Sequence, residues 1–244
     1  MRTFLIGGGR DEAGVVASHR PFAAAVAEGP VRVLVLDEGD ETDTTRWTGN
    51  LAAVDLESEA TVVSRERPAR AEDLEGAGGV YVAGGLTPGY HEALAGSGTG
   101  WLDVARMRGV PYAGFSAGAA IAAERAVVGG WRAEIRGRTV AVCDDGAGED
   151  LELIEVRDGL GLVPFHVDVH AAQWGTLTRL LHALAAGPTP AGAAIDEGTT
   201  LEVDGGTVRV HGDGAVYWAT RSSSPGVPVR VLVDGDQAPL ADLL

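Results

Sequence analysis

The sequence contains no lysine; all 19 of its basic residues are arginine. A Ser-Lys dyad, a Schiff-base lysine and a Walker-type phosphate lysine are therefore excluded, and an activated serine has to draw on histidine. Cysteine occurs once, as Cys143. A single thiol cannot close an intramolecular disulfide, and away from any catalytic motif it reads as a small packing residue. No stretch approaches the roughly 20 consecutive apolar residues that span a bilayer. The chain opens directly on an apolar strand pattern, Thr3-Phe4-Leu5-Ile6, without a signal-peptide pattern, so a cytoplasmic location is expected. Net positive charge is missing too. A formal net charge of -16 disfavours nucleic acid and anionic membranes as partners, because phosphate binding needs positive potential.

What is present is enough apolar residue, 45% of 244 positions, to bury a full core, and one α/β domain over residues 1–244 is expected. β-Branched runs at 31–36, 61–64, 79–82, 110–113 and 161–169 alternate with helical stretches at 21–28, 44–56, 90–94, 102–108 and 173–186. Strands alternating with helices predict a mostly parallel sheet covered on both faces, with ligands bound beyond the carboxyl ends of its strands. From about residue 198 the pattern changes to period two. Runs at 200–203, 207–211 and 216–220 are separated by Asp204-Gly205-Gly206 and Gly212-Asp213-Gly214, a small antiparallel extension over 198–244. Residues 222–228 read as a flexible connection to a last strand at 229–233.

The most informative segment is Gly114-Phe115-Ser116-Ala117-Gly118. An apolar strand enters it and an alanine-rich helix, expected over 117–126, leaves it, which is the context of a nucleophile elbow. Its glycines suit a strained turn in which backbone and helix approach too closely for side chains. Ser116 is then presented outward, with the Ala117 N–H available to an oxyanion. Two other glycine clusters follow strands. Gly7-Gly8-Gly9 fails the dinucleotide fingerprint, because Glu12 stands where the third glycine belongs, and reads as a tight turn. Gly84-Gly85-Leu86-Thr87-Pro88 offers a second backbone donor.

Six histidines could serve as base: His19, His91, His166, His170, His182 and His211. His166 and His170 bracket Asp168, and an extended strand would put all three on one face. Spacing alone leaves two readings. Either His170 is the base at a strand end, with His166 and Asp168 lining the pocket, or the two histidines are hydrogen-bonded core residues. The orienting acid is equally open among Asp168, Asp196, Glu197, Asp144, Asp145, Glu149 and Asp150. Metal chelation by His166, Asp168 and His170 is not expected, since no cysteine joins them.

Four ordered segments resemble a known family. Gly84 to Pro88, Gly114 to Ala119, Gly159 to Pro164 leading to Asp168-Val169-His170, and Ala194 to Thr199 are similar to the oxyanion loop, elbow, histidine segment and acid segment of the dipeptidase E and cyanophycinase group of serine peptidases. The resemblance covers about residues 1–210. It implies a class I glutamine-amidotransferase-like, flavodoxin-like three-layer α/β sandwich with a mostly parallel central sheet. It further implies Ser116 as nucleophile, His170 as base, Glu197 as orienter, and the N–H groups of Gly85 and Ala117 as oxyanion hole. Phe115, His166, Asp168 and Asp196 are candidates for lining the pocket, and no cofactor or metal is expected. An aspartate shortly after the elbow, a further acid candidate in such enzymes, is replaced here by Trp131 and Arg132. The order Ser, His, Glu differs from that of an α/β-hydrolase, where the acid precedes the histidine. The fold's glutaminases carry cysteine at the elbow, so Ser116 argues against glutamine hydrolysis.

The expected function is therefore hydrolysis of a small peptide or amide through an acyl-enzyme. An acyl transferase using the same triad and a noncatalytic binding module are the alternatives. Relatives act on N-terminal aspartyl dipeptides or on the aspartate-arginine polymer cyanophycin, and Arg125, Arg132, Arg136 and Arg138 are candidates for binding a carboxylate. Several of these folds assemble as dimers, and exposed tryptophans would be compatible with a homodimer here, but scattered surface aromatics do not fix a stoichiometry.

Overall fold

The computed structural model describes residues 1–222 and 226–244. Its central sheet has eight strands. Five of them, β1 (Thr3–Ile6), β2 (Val31–Leu36), β3 (Ser58–Val63), β4 (Gly79–Val82) and β5 (Tyr112–Phe115), run parallel in the order β1-β5-β4-β2-β3. Parallel neighbours need crossover connections. These are supplied by α1 (Glu12–Ala23), α2 (Thr44–Ala52), α3 (Thr87–Leu94) and α4 (Asp103–Arg108), and α5 (Ala117–Ala120) leaves the fifth strand. Because helices cover both faces, β1, β4 and β5 are buried at every position and read as continuous apolar runs.

The first helix begins earlier than its alanine content suggests. Asp11 caps it by accepting from the Gly14 N–H at 2.9 Å, which leaves Pro21 inside the helix near its C-terminal end. The elbow helix is shorter than expected, ending at Ala120 where the alanine run predicts 126. Downstream backbone groups are claimed by tertiary pairing: the carbonyls of Ile121 and Ala122 accept from the N–H groups of Leu160 and Leu162, and the Glu124 N–H donates to Val163. Propensity is a weak prior against such pairing.

Beyond the elbow, β6 (Arg125–Gly129) pairs with β9 (Glu155–Asp158), and β7 (Arg132–Ile135) with β8 (Arg138–Ala141). The run expected at 161–169 is an ordered strand only over β10 (His166–Val169), and it does not join the central sheet. It pairs in parallel with β11 (Ala191–Ile195) in a second, four-stranded sheet, packed against α5 on one side and covered by α6 (Leu177–Ala186).

The antiparallel C-terminal strands are divided between the two sheets. β12 (Thr199–Asp204), β13 (Thr207–Gly212) and β16 (Gln237–Pro239) extend the central sheet from β1, whereas β14 (Ala215–Thr220) and β15 (Val229–Val233) extend the second sheet from β11. Of the connection read at 222–228, residues 223–225 lie outside the described residues. One apolar cluster runs through both sheets, from Phe4 and Tyr81 to Phe165 and Trp218. Three of the five tryptophans, Trp47, Trp101 and Trp218, belong to it. Among the described residues, no helix is long and apolar enough to cross a membrane.

Candidate active site

Ser116 stands between β5 and α5 with φ 51° and ψ -109°, a conformation that costs a non-glycine residue about 1–3 kcal/mol. The surrounding contacts hold it there. A Cβ on Gly114 would lie 2.3 Å from the carbonyl of Gly118, and a Cβ on Gly118 would lie 2.4 Å from that of Val82. The Tyr112 hydroxyl donates to the Gly118 carbonyl at 2.7 Å and ties the helix back to the strand. As the first residue of α5, Ala117 has no intrahelical acceptor for its N–H.

His170 follows β10 immediately and adopts φ 55°, so it leaves the alternation of the strand. Its imidazole reaches the serine: Ser116 Oγ and His170 Nε2 are 2.8 Å apart, and His170 Nδ1 and Glu197 Oε1 are 2.6 Å apart. A carboxylate only accepts, so Nδ1–H donates to Glu197 and Nε2 is left to accept the serine O–H. Burial draws the His170 pKa below the ordinary imidazole value, opposed by the hydrogen bond and charge of Glu197. Desolvation thus favours the neutral ring.

The Gly7-Gly8-Gly9 turn is the seat of this pair. The Gly7 carbonyl accepts from the His170 N–H at 3.0 Å, and the Gly8 carbonyl from the Gly198 N–H at 3.0 Å. A Cβ on Gly8, itself at φ 109°, would stand 2.1 Å from His170 Cε1. The position requires glycine because the imidazole occupies the side-chain space. Sequence reasoning missed this role, and the only available signal was three glycines after the first strand without a dinucleotide fingerprint.

The remaining predicted residues separate. Phe115 lines the cleft beside Ser116, as does Gly85, while Ala117 is buried behind the serine. Asp196 is occupied structurally: its oxygens accept from the N–H groups of Ala172 at 2.9 Å and Ala215 at 3.0 Å, which leaves Glu197 to face the histidine. Asp168 does not line the cleft. Arg179 donates to both its oxygens, Nε at 2.9 Å and Nη2 at 2.6 Å, and both residues are buried. Burial opposes the Arg179 charge, but Asp168 more than restores it, and the guanidinium pKa is raised. His166 is also outside the cleft, donating from Nδ1 to the Arg125 carbonyl at 2.6 Å. His166, Asp168 and His170 therefore do not share one face, because the chain turns at His170. Cys143 is half-buried, with its thiol pKa pushed up by burial, and does not reach the cleft.

The cleft itself has a volume of about 1180 Å³. The arginines picked from sequence do not line its floor: Arg125, Arg132 and Arg136 border a second cavity beside α6. Arg10 and Arg46 are the cleft's cations, and neither has an ion pair among the described residues. The Arg46 guanidinium lies 4.3 Å from the Trp47 ring and 5.9 Å from that of Phe115. Burial and the charge of Arg10 both lower its pKa. Another stretch of the rim is acidic, with Asp145, Glu149, Asp150 and Glu152. Glu149 accepts from the Thr87 N–H at 3.0 Å, and burial raises its pKa.

A mostly parallel α/β sheet with a serine elbow, and a histidine and glutamate delivered from a second sheet, defines the class. Residues 40–211 match peptidase family S51, and the chain belongs to that family. Cyanophycinases of Trichormus variabilis and of a Nostoc species are each 32% identical over 148 residues, 59% of this chain and 45% of theirs. The match thus spans less than half the length of these curated relatives. Among solved structures, a peptidase from an acI-B1 actinobacterium aligns with TM-score 0.65 at 18% identity, covering 98% of this chain and 96% of the other. A Listeria monocytogenes protein assigned to peptidase E aligns with TM-score 0.52 at 16% identity, covering 95% and 98%. These two likenesses support the fold, and the family match agrees with the resemblance to the dipeptidase E and cyanophycinase group.

Proposed function

We propose that the protein is a serine hydrolase that cleaves a small peptide or amide through an acyl-enzyme. The observation that carries this reading is the continuous relay from Ser116 Oγ to His170 Nε2 at 2.8 Å and from His170 Nδ1 to Glu197 Oε1 at 2.6 Å. Ser116 attacks the scissile carbonyl as its proton passes to Nε2, and Glu197 stabilises the resulting imidazolium. The N–H groups of Gly85 and Ala117 are the donors assigned to the tetrahedral oxyanion. The imidazolium then protonates the departing amine, the C–N bond breaks, and water, deprotonated by the same nitrogen, hydrolyses the ester.

The charges of the cleft select among substrates. Two guanidiniums near the elbow with no ion-pair partner fit a substrate carboxylate, and the acidic rim at 145–152 fits an ammonium or guanidinium. A short peptide carrying both charges satisfies both. The test is hydrolysis of a charge-varied dipeptide library followed by mass spectrometry. Zwitterionic members with an acidic side chain are expected to turn over, and Ser116→Ala is expected to lower kcat/KM by about 10^4-fold or more. Undiminished turnover by Ser116→Ala would sink the reading.

A further inference from the structure

Trp174 is the one tryptophan with a large exposed surface, at 42%, and it lines the cleft. A bulky aromatic in that position buries little of itself in the core. Its indole instead lies flat on His170, with ring centroids 4.1 Å apart and planes 10° from parallel. The backbone holds it there. The Trp174 N–H donates to the His170 carbonyl at 2.9 Å and closes the 170–174 turn, while Gln173 Oε1 accepts from the Glu197 N–H at 3.1 Å. The imidazole is thus confined by Gly8, against whose missing side chain it rests, and by the indole stacked on its face.

We infer that Trp174 is a positioning residue for His170, holding the imidazole in the orientation that joins Ser116 to Glu197 and stabilising the imidazolium formed during turnover. The inference rests on the reading of His170 as the base. An indole face attracts a cation through its quadrupole, so the stack is stronger when the ring is charged than when it is neutral. An interaction that strengthens as charge develops accelerates the step. The ionisable groups facing His170 are Glu197 after β11, Asp168 on β10 and Arg179 on α6, beside the Ser116 hydroxyl. Asp168 and Arg179 neutralise one another, so Glu197 and the indole are the two groups left to favour the imidazolium.

The test uses Trp174→Leu and Trp174→Phe, with kcat and KM measured across pH, and a fluorescence titration of the wild type with the Trp174→Phe signal subtracted. Trp174→Leu is expected to lower kcat about tenfold with little change in KM, and to move the acid limb of the profile to lower pH, as loss of a cation–π contact requires. Trp174→Phe keeps most of both. The Trp174 signal is expected to titrate with His170 and to stop titrating in His170→Ala. Unchanged kcat and acid limb in Trp174→Leu would overturn the inference, and so would a rise in KM alone, which would make Trp174 a substrate wall. If His170→Ala keeps full turnover, the base reading fails by itself. A missing fluorescence titration in an enzyme that still depends on His170 overturns the role of Trp174 alone.

Discussion

The two sheets contribute to the cleft in different ways. On the central sheet, Ser116 is set by contacts within a few residues of itself, Gly114 against Gly118 and Tyr112 against the Gly118 carbonyl, with Val82 on the neighbouring strand. On the second sheet, His170 and Glu197 stand after two neighbouring strands and reach Ser116 only because that sheet docks on the Gly7-Gly8-Gly9 turn. The serine turn is a local structure, and the histidine that reaches it is placed by tertiary contacts. Damage to the first should be confined to chemistry, whereas the second can be disabled from a distance.

The sharpest test of that contrast lies in two carboxylates near His170. Glu197→Gln keeps the hydrogen-bonding shape but removes the charge that stabilises the imidazolium, and it is expected to lower kcat by about 10^4-fold with the melting temperature unchanged. Asp168→Asn leaves Arg179 buried without its charge partner. Its expected effect is a loss of about 3–5 kcal/mol of stability, measured by urea denaturation. If Asp168→Asn proved stable and inactive, the acid assignment would have to move.

A second contrast sets His170 against His19, which packs beneath the elbow at 5.9 Å from the Phe115 ring. His19 donates from Nδ1 to the Val15 carbonyl at 2.7 Å and its Nε2 pairs with the Tyr81 hydroxyl at 2.9 Å. Burial lowers its pKa to about 4. The unfolded chain therefore binds the proton more readily, and stability rises with pH between the two values. The contribution, about 3 kcal/mol, is complete above the unfolded value near 6.5 and is lost as pH falls towards 4. Denaturation at pH 7 and pH 4 measures it, and His19→Gln should flatten the difference.

On the proposed reading of His170 as base, Gly8→Ala is expected to disable it from outside the Ser116–His170–Glu197 relay. Its methyl group would meet the imidazole, and a displacement of about 1 Å costs on the order of 10^2-fold in turnover. Wild-type kcat in Gly8→Ala would show that the two sheets do not need this contact. The smallest expected effect is on the acid limb of the activity profile. As the proposed base, His170 has to be neutral to accept the serine proton, and burial lowers its pKa, so activity should persist below the 6.5 of a free imidazole before it falls.

The same division explains what could be read in the sequence. The elbow was legible because a strand, two glycines and an alanine run are contiguous, and the strand at 207–211 was legible from its period-two alternation between glycine turns. Pairing partners were not. Residues 166–169 look like one more strand of the parallel sheet, and nothing local says that they pair with Ala191–Ile195 instead. Asp168 lies two residues from His170 in the chain but is taken by Arg179 on α6, a contact made only when the helix packs. Gly8 and Trp174 were invisible as neighbours of His170, because a glycine's empty side and an indole's stacking partner are properties of the folded surface.

If Ser116 is activated by a histidine from the other sheet, a serine-directed probe should react only while both residues are present. The direct measurement is intact-protein mass spectrometry after reaction with a fluorophosphonate, on wild type, Ser116→Ala and His170→Ala. One adduct on the wild type and none on either variant is the predicted result. An adduct that survives His170→Ala, or none on folded wild type, would mean that His170 does not activate Ser116.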